Sequence, residues 1–211
     1  MKLKLFVMVI VTLLAISLLP SIVLAADNQA PQIVSPASFS INEDTPTALT
    51  GISFSDADAL NNEVMVTLQV SSGTIFATTG SGVTAGGSGT QTVILTGSIS
   101  NINAFVAASG VTFTPLLHST SNVTLEISIN DNGHTGEGGA LTSSDSVVLT
   151  VIAINDPPVN IVPGAQTVIR DETLVFSAAN GNQILITDSD AGNGVVRASL
   201  TATYGSITLG G

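Results

Sequence analysis

The acidic residues of this 211-residue chain lie in short clusters, and the clusters recur along the sequence. In chain order they are Glu43-Asp44, Asp56-Ala57-Asp58, Asp131, Asp156, Asp171-Glu172 and Asp188-Ser189-Asp190. An Asp-x-Asp in a loop puts two carboxylates on one side of a turn, where they can hold a cation between them. Calcium takes about six to eight oxygen ligands from carboxylates, backbone carbonyls and Asn side chains. The clusters therefore predict calcium coordination.

The charge balance argues against several other classes of protein. The chain has 15 acidic residues, four basic residues and no cysteine, and its formal net charge is −11. Nucleic-acid binding through phosphates needs clustered Lys and Arg, and docking on anionic lipid needs a basic patch. Without cysteine, disulfides, thiolate zinc sites and cysteine nucleophiles are excluded. We therefore expect neither nucleic acid nor membrane among the partners of the mature chain.

The N-terminus has the pattern of an export signal. Two lysines precede an apolar run from Leu5 to Leu19, and Pro20 interrupts the run before small residues at positions 25 and 26. The run is shorter than the roughly 20 residues that a membrane span needs. Residues 1–25 are therefore predicted to be a signal peptide. Its removal leaves two arginines against 15 acids, a net charge of −13, on a secreted or cell-surface protein.

The rest of the sequence predicts β-strands separated by clusters of Gly, Ser, Asn and Pro. In Val123–Asn130 apolar and polar residues alternate, as they do in a half-buried strand. Other predicted strands are Val64–Val70, Gln91–Leu95 and Ser146–Ile154. The hydrophobic content of 44% is enough for a core.

Two segments depart from the strand pattern. Ile99, Ile102 and Phe105 have helical spacing and Gly110 follows, which predicts one short helix near residues 100–108. Residues 80–89 are rich in glycine and contain no lysine, so they are predicted to form a hairpin loop rather than a phosphate cradle.

Internal similarity predicts two modules. Ile41-Asn-Glu-Asp-Thr45 recurs as Ile169-Arg-Asp-Glu-Thr173, and Asp56-Ala-Asp58 recurs as Asp188-Ser-Asp190. The offset drifts from 128 to 132 residues, and the drift falls where loops take insertions. We therefore expect one module over residues 27–156 and part of a second over 157–211, as in a longer tandem array.

Four segments together resemble a known family. They are residues 41–46 (INEDTP), 56–58 (DAD), 129–141 (INDNG…GEGGAL) and 154–159 (INDPPV). In this order they resemble the cadherin-like repeats of large bacterial surface and adhesin proteins. The resemblance implies an all-β fold of tandem, seven-stranded, immunoglobulin-like Greek-key β-sandwiches. It also implies calcium at the junctions between modules.

The resemblance assigns candidate ligands residue by residue. Those of a junction site between the modules are Glu43, Asn155, Asp156, Asp188 and Asp190. Asp56, Asp58 and Asp131 would form a second, upper site at the other end of module one, because the strand after Asp131 runs down into the linker. Asn28 and Gln29 stand where Asn155 and Asp156 stand in the repeat, so the upper site lacks the linker carboxylate unless Asp27, one position away, replaces it.

Catalysis is not predicted. Glycosidase chemistry needs two carboxylates that face each other in a cleft, and the strand-and-loop pattern builds none. His118 and His134 lie in Gly/Ser/Thr-rich loops, neither has a second histidine at metal-ligand spacing, and both are expected to be ordinary loop residues.

The sequence therefore favours a secreted or surface-displayed adhesion module whose junctions are rigidified by calcium. Its expected partners are calcium ions, neighbouring repeats and a cell-surface or matrix ligand. An accessory, non-catalytic region of a larger exported enzyme is the alternative. A polysaccharide-binding module is a weaker possibility, because the chain has no Trp and one Tyr for stacking on sugars.

Overall fold

The computed structural model describes residues 26–134 and 136–210. The predicted signal peptide, residues 1–25, lies outside them. In the described residues no helix is long and apolar enough to cross a bilayer.

The described elements are strands β1 Gln32–Val34, β2 Ser38–Asn42, β3 Thr47–Ala48, β4 Ser53–Ser55, β5 Glu63–Val70, β6 Thr74–Ala77, β7 Val83–Gly86 and β8 Thr92–Ser98, helix α1 Ile99–Ala107, and strands β9 Val111–Thr114, β10 Val123–Asn130, β11 Thr142–Ile152, β12 Val159–Ile161 and β13 Leu185–Thr187.

The larger sheet has six strands in the order β2-β11-β10-β5-β8-β7. Its strands are antiparallel neighbours except at one edge, where β2 pairs with β11 in parallel from Ser38–Val148 to Asn42–Ile152. Strand β10 shows why the sheet forms, since its alternate side chains, Val123 to Ile129, are buried while those between them face outward. The period of two gives the sheet one apolar face.

A second sheet, β3-β9-β6, covers that apolar face. Phe113 in β9 and Ile75 in β6 are fully buried, and they belong to the same core as Leu95 and Leu125 of the larger sheet. Two short strands, β1 and β4, form an antiparallel pair of their own. The arrangement is an all-β sandwich with one short helix, which confirms the predicted fold class.

Helix α1 carries the chain from the larger sheet to the smaller one. The Ser98 hydroxyl accepts a hydrogen bond from Asn101 N and caps the first turn. Ile102, Phe105 and Val106 are buried against the core, which is why the helical spacing was visible in the sequence. Gly110 N donates to the Phe105 carbonyl at 2.9 Å as the helix ends.

The stretch of residues 80–89 is not only a loop. Residues Val83–Gly86 form β7, which pairs with β8 at the edge of the larger sheet, and Val83 is buried. The prediction of a hairpin loop across this stretch was therefore wrong at its centre. The glycines obscured a strand whose single large apolar side chain supplies the packing.

All the apolar side chains of the buried core lie between Ile41 and Val151. Beyond them, β12 and β13 pair antiparallel, with Asn160 opposite Ile186. The three residues of each of these strands are exposed. The division into two modules remains a prediction.

The burial pattern of β8 yields a test of the sandwich. Leu95 is fully buried and its neighbour Ile94 is 40% exposed on the opposite face. Leu95→Ala is expected to lower the free energy of unfolding by about 2–5 kcal/mol, because it leaves a cavity in the core. Ile94→Ala is the matched control and should cost less than about 1 kcal/mol. Equal losses in chemical denaturation would show that the inner face is assigned wrongly.

Candidate metal centres

One end of the sandwich gathers three loops around the segment that follows β11. Glu43 lies just after β2 and is 4% exposed. Its backbone N–H donates to the Ile152 carbonyl at 2.9 Å, and its Oε1 accepts from Ile154 N at 2.9 Å. Glu43 therefore joins the β2–β3 loop to residues 153–158. We call these residues the linker and the surroundings of the Glu43 carboxylate the junction.

The linker is joined in turn to the second Asp-x-Asp. Asp156 N donates to Asp190 Oδ2 at 2.9 Å, and Ser189 Oγ donates to Asp156 Oδ2 at 2.9 Å. Asp188 Oδ1 accepts from Asp190 N at 3.3 Å and from Ala191 N at 3.0 Å, which closes the turn. The Asp-x-Asp thus forms an Asx-type turn that faces the linker.

His118 contributes a group that the sequence did not single out. It lies in the β9–β10 loop, and its Nδ1 is 3.0 Å from Asp44 Oδ2 and 2.9 Å from Asp156 Oδ2. Its backbone N–H donates to Asp44 Oδ1 at 2.7 Å. The expectation that His118 is an ordinary loop residue was wrong, because its imidazole bridges two carboxylates at the junction.

A cavity of about 260 Å³ opens between these groups. Among the carboxylates, those of Glu43, Asp156 and Asp190 border it, and His118 and Ser189 border it as well. The predicted junction ligands Glu43, Asp156 and Asp190 therefore share one space. Asn155 and Asp188 do not line it; the Asn155 amide donates to the Asp156 carbonyl at 3.1 Å.

The opposite end of the sandwich repeats part of this pattern. Asn28 Nδ2 donates to Asp131 Oδ2 at 2.7 Å and to the Gly139 carbonyl at 2.6 Å. The next residue, Gln29, donates its backbone N–H to Asp58 Oδ2 at 3.0 Å. Adjacent residues of one segment thus connect Asp131 with the first Asp-x-Asp.

The first Asp-x-Asp has the same turn as the second. Asp56 Oδ1 accepts from Asp58 N at 3.0 Å and from Ala59 N at 3.1 Å. Its other oxygen, Oδ2, is buried without a hydrogen-bond donor from the described residues. A cavity of about 330 Å³ lies beside Asp56 and is lined also by Gln29 and Ser55.

The carboxylates of these two ends have different electrostatic environments. Burial raises the pKa of Asp56, and the neighbouring Asp58 carboxylate adds to the rise. Burial opposes ionisation of Asp131, but hydrogen bonds from Leu141 N, Gly133 N and Asn28 outweigh it and lower the pKa of Asp131. A hydrogen bond with Asp188 and another from Asp156 N lower the pKa of Asp190. Among these three side chains, Asp56 is the one for which burial outweighs the hydrogen bonds.

These donor sets fit a calcium ion in their chemistry. Calcium prefers oxygen ligands. Three carboxylates and Thr120 border the junction cavity, and at the opposite end Asp131 and Asp58 accept hydrogen bonds from the adjacent residues Asn28 and Gln29. The uncompensated Asp56 Oδ2 is an oxygen of the kind that a cation would neutralise. The His118 nitrogen does not fit, since imidazole is a poor ligand for calcium.

No protein-family model and no curated protein matches the chain. Among solved structures the chain is similar to a crystal structure of mouse cadherin-23, EC22–24, with 21% identity and a TM-score of 0.33. The match covers 79% of this chain and 46% of the cadherin-23 chain, so this chain spans about half of that fragment.

Asp131 yields a test by pH. The pKa of Asp131 is lower in the folded state than its ordinary value of 3.8. Ionised Asp131 therefore stabilises the fold, and this contribution is fully present at pH values above 3.8. That contribution is lost as the pH falls through the lowered pKa. Asp131→Asn keeps an acceptor oxygen but no charge. The variant should therefore be less stable at neutral pH, and its deficit should shrink in acid.

The measurement is denaturant unfolding of both proteins between neutral pH and pH about 2.5. Glu126→Gln is the control, since Glu126 is exposed in the middle of β10. A deficit for Asp131→Asn that stays constant across this range would contradict the electrostatic role.

Proposed function

We propose that the chain is a non-catalytic, calcium-binding structural module of the cadherin-like type, which acts outside the cytoplasm in adhesion. One observation carries the proposal. The residue that precedes each proline-containing segment donates its backbone N–H to the second carboxylate of an Asp-x-Asp: Gln29 to Asp58 at 3.0 Å and Asp156 to Asp190 at 2.9 Å. The same connection is built twice, at the two ends of one sandwich.

The described chain has no lysine and two arginines to balance the carboxylates at its two ends, and His118 is a basic side chain at the junction. The two arginines of the described chain are Arg170 and Arg197, and Arg170 is 3.8 Å from Asp171. Two like charges about 4 Å apart cost about 1 kcal/mol in water and about 4 kcal/mol at the effective dielectric of a protein surface. A divalent cation removes this cost and adds ligand bonds, which is why we favour calcium over a purely solubilising role.

We propose that Glu43, Asp156 and Asp190 hold the junction ion directly, and that Asn155 and Asp188 supply further oxygens or shape the turn. The upper ion would take Asp56, Asp58 and Asp131. Gln29 replaces the linker carboxylate there, so the upper site has one charge fewer and should bind more weakly. Extracellular modules bind calcium with a Kd on the order of 10⁻⁴–10⁻³ M.

The mechanism we propose is mechanical. Without calcium, repulsion among the carboxylates opposes closure of the junction, and the linker through Pro157 and Pro158 is free to swing. With calcium, ligands from both sides of the linker share an ion, and the chain stiffens. The carboxylates of Glu43 and Asp190 accept hydrogen bonds from the backbone of the linker, which supports a structural role for them.

Calcium titration of the purified chain by calorimetry tests the proposal. We expect binding in the range given above and a rise in Tm, since a ligand of the folded state stabilises it. Asp188→Asn with Asp190→Asn should weaken the junction site at least roughly tenfold, through the loss of two carboxylates. Small-angle scattering should show an extended shape in calcium and a more variable one in chelator.

The matched control removes two charges from exposed positions, Glu126→Gln with Asp171→Asn, and should bind calcium like the parent protein. If the parent protein gives neither heat nor a change in Tm at millimolar calcium, the proposed function fails. If both double variants lose affinity equally, the binding is diffuse and no junction site exists.

Asp56 supports a separate prediction. Its raised pKa means that the ionised side chain opposes folding at neutral pH. Asp56→Asn keeps the oxygen that accepts from Asp58 N and Ala59 N but removes the charge. The calcium-free variant should therefore melt at a higher temperature than the parent protein and gain less from added calcium. A lower calcium-free Tm would contradict this reasoning.

A further inference from the structure

Calcium coordination does not explain why the imidazole nitrogen of His118 lies between carboxylates at the junction. His118 Nδ1, Asp44 Oδ2 and Asp156 Oδ2 come from three separate segments of the chain. One ligand atom from each of these three residues lies within 4.8 Å of the others. Asp44 does not border the cavity that Glu43 and Asp190 share, so this group extends to the side of that cavity.

The chemistry of the group favours a transition metal over calcium. Imidazole nitrogen suits zinc, copper, nickel and iron, whereas sites for calcium use oxygen alone. Zinc accepts His and carboxylate ligands together, commonly three protein ligands with water in a fourth, open position. One imidazole and two carboxylates supply three such ligands with two negative charges, which balance the charge of the ion.

The spacing of the ligand atoms is close to what a tetrahedral ion requires. Zinc–nitrogen and zinc–oxygen bonds are about 2.0–2.2 Å, so tetrahedral ligand atoms stand roughly 3.3–3.6 Å apart. The His118 nitrogen is 3.0 Å and 2.9 Å from the two carboxylate oxygens. An outward movement of about half an ångström by these partly exposed side chains would bring the two distances into that range.

The surroundings hold these ligands and leave room for water. The backbone N–H of His118 donates to Asp44 Oδ1 at 2.7 Å, and Ser189 Oγ donates to Asp156 Oδ2 at 2.9 Å. Hydrogen bonds of this kind orient ligands around metal ions. The His118 side chain is 43% exposed, which allows an ion to enter from solvent.

From this geometry we propose that Asp44, His118 and Asp156 form a site for a divalent transition-metal ion, zinc above others. The site shares Asp156 with the proposed calcium site, and its other two ligands, Asp44 and His118, belong to it alone. Zinc would link the β2–β3 loop, the β9–β10 loop and the linker, so it would fix the junction by bonds that calcium does not make.

Zinc titration of the purified chain by calorimetry, with no calcium present, tests the proposal. The key variant is His118→Asn, because His118 has φ +54° and Asn tolerates this left-handed conformation better than most residues. We expect one zinc ion per chain, and a loss of affinity of at least roughly tenfold in His118→Asn and in Asp44→Asn. His134→Asn is the matched control, since His134 is the other histidine of the chain, and it should bind zinc like the parent protein.

Imidazole NMR provides a readout on the unmutated protein. The chain has two histidines, and zinc should shift the ring signals of His118 while those of His134 stay in place. Absence of zinc binding, equal affinity in His118→Asn and His134→Asn, or movement of both rings together would overturn the proposal. Calcium titrations are read separately, so a failure here is distinguishable from a failure of the proposed function.

Discussion

Repulsion between carboxylates is the constraint on which both ends of this molecule depend. With no lysine and two arginines in the described chain, the acidic groups at the two ends rely largely on backbone N–H donors, beside the contacts of His118 with Asp44 and Asp156. Asp131 takes two such donors, and Glu43 takes one from the linker. Each of these hydrogen bonds also holds a loop in place. The bonds that stabilise the carboxylate charges therefore also set the loop geometry. Asp56, where burial prevails over its donors, is the exception.

The two ends are built alike but not equally. Gln29 and Asp156 make the same backbone hydrogen bond to an Asp-x-Asp, yet one brings an amide and the other a carboxylate. The linker end also has His118 between two carboxylates. The same arrangement thus carries a different charge at the two ends of the sandwich. The charge of the ligands affects the affinity and selectivity for cations.

The sequence predicted those features that depend on a local period. Strand Val123–Asn130 was predicted to the residue, and the helix was displaced by one position, because alternation and helical spacing are written in consecutive residues. Strand β7 was missed, since three of its four residues have small or polar side chains. His118 was missed because its role arises from a loop that only the three-dimensional fold brings to the linker. Strand direction offered a signal: the loop before β10 and the end of β11 lie at the same end, since these strands are antiparallel.

The parallel pairing of β2 with β11 has a consequence for a chain pulled from its two ends. The first strand of the larger sheet and its last strand lie side by side over five residue pairs and point the same way. Force applied at opposite ends of the sandwich therefore slides these strands past each other in shear and loads all the bridging hydrogen bonds at once. An antiparallel pair pulled from adjacent ends would open one bond at a time. This topology therefore resists such force by shear.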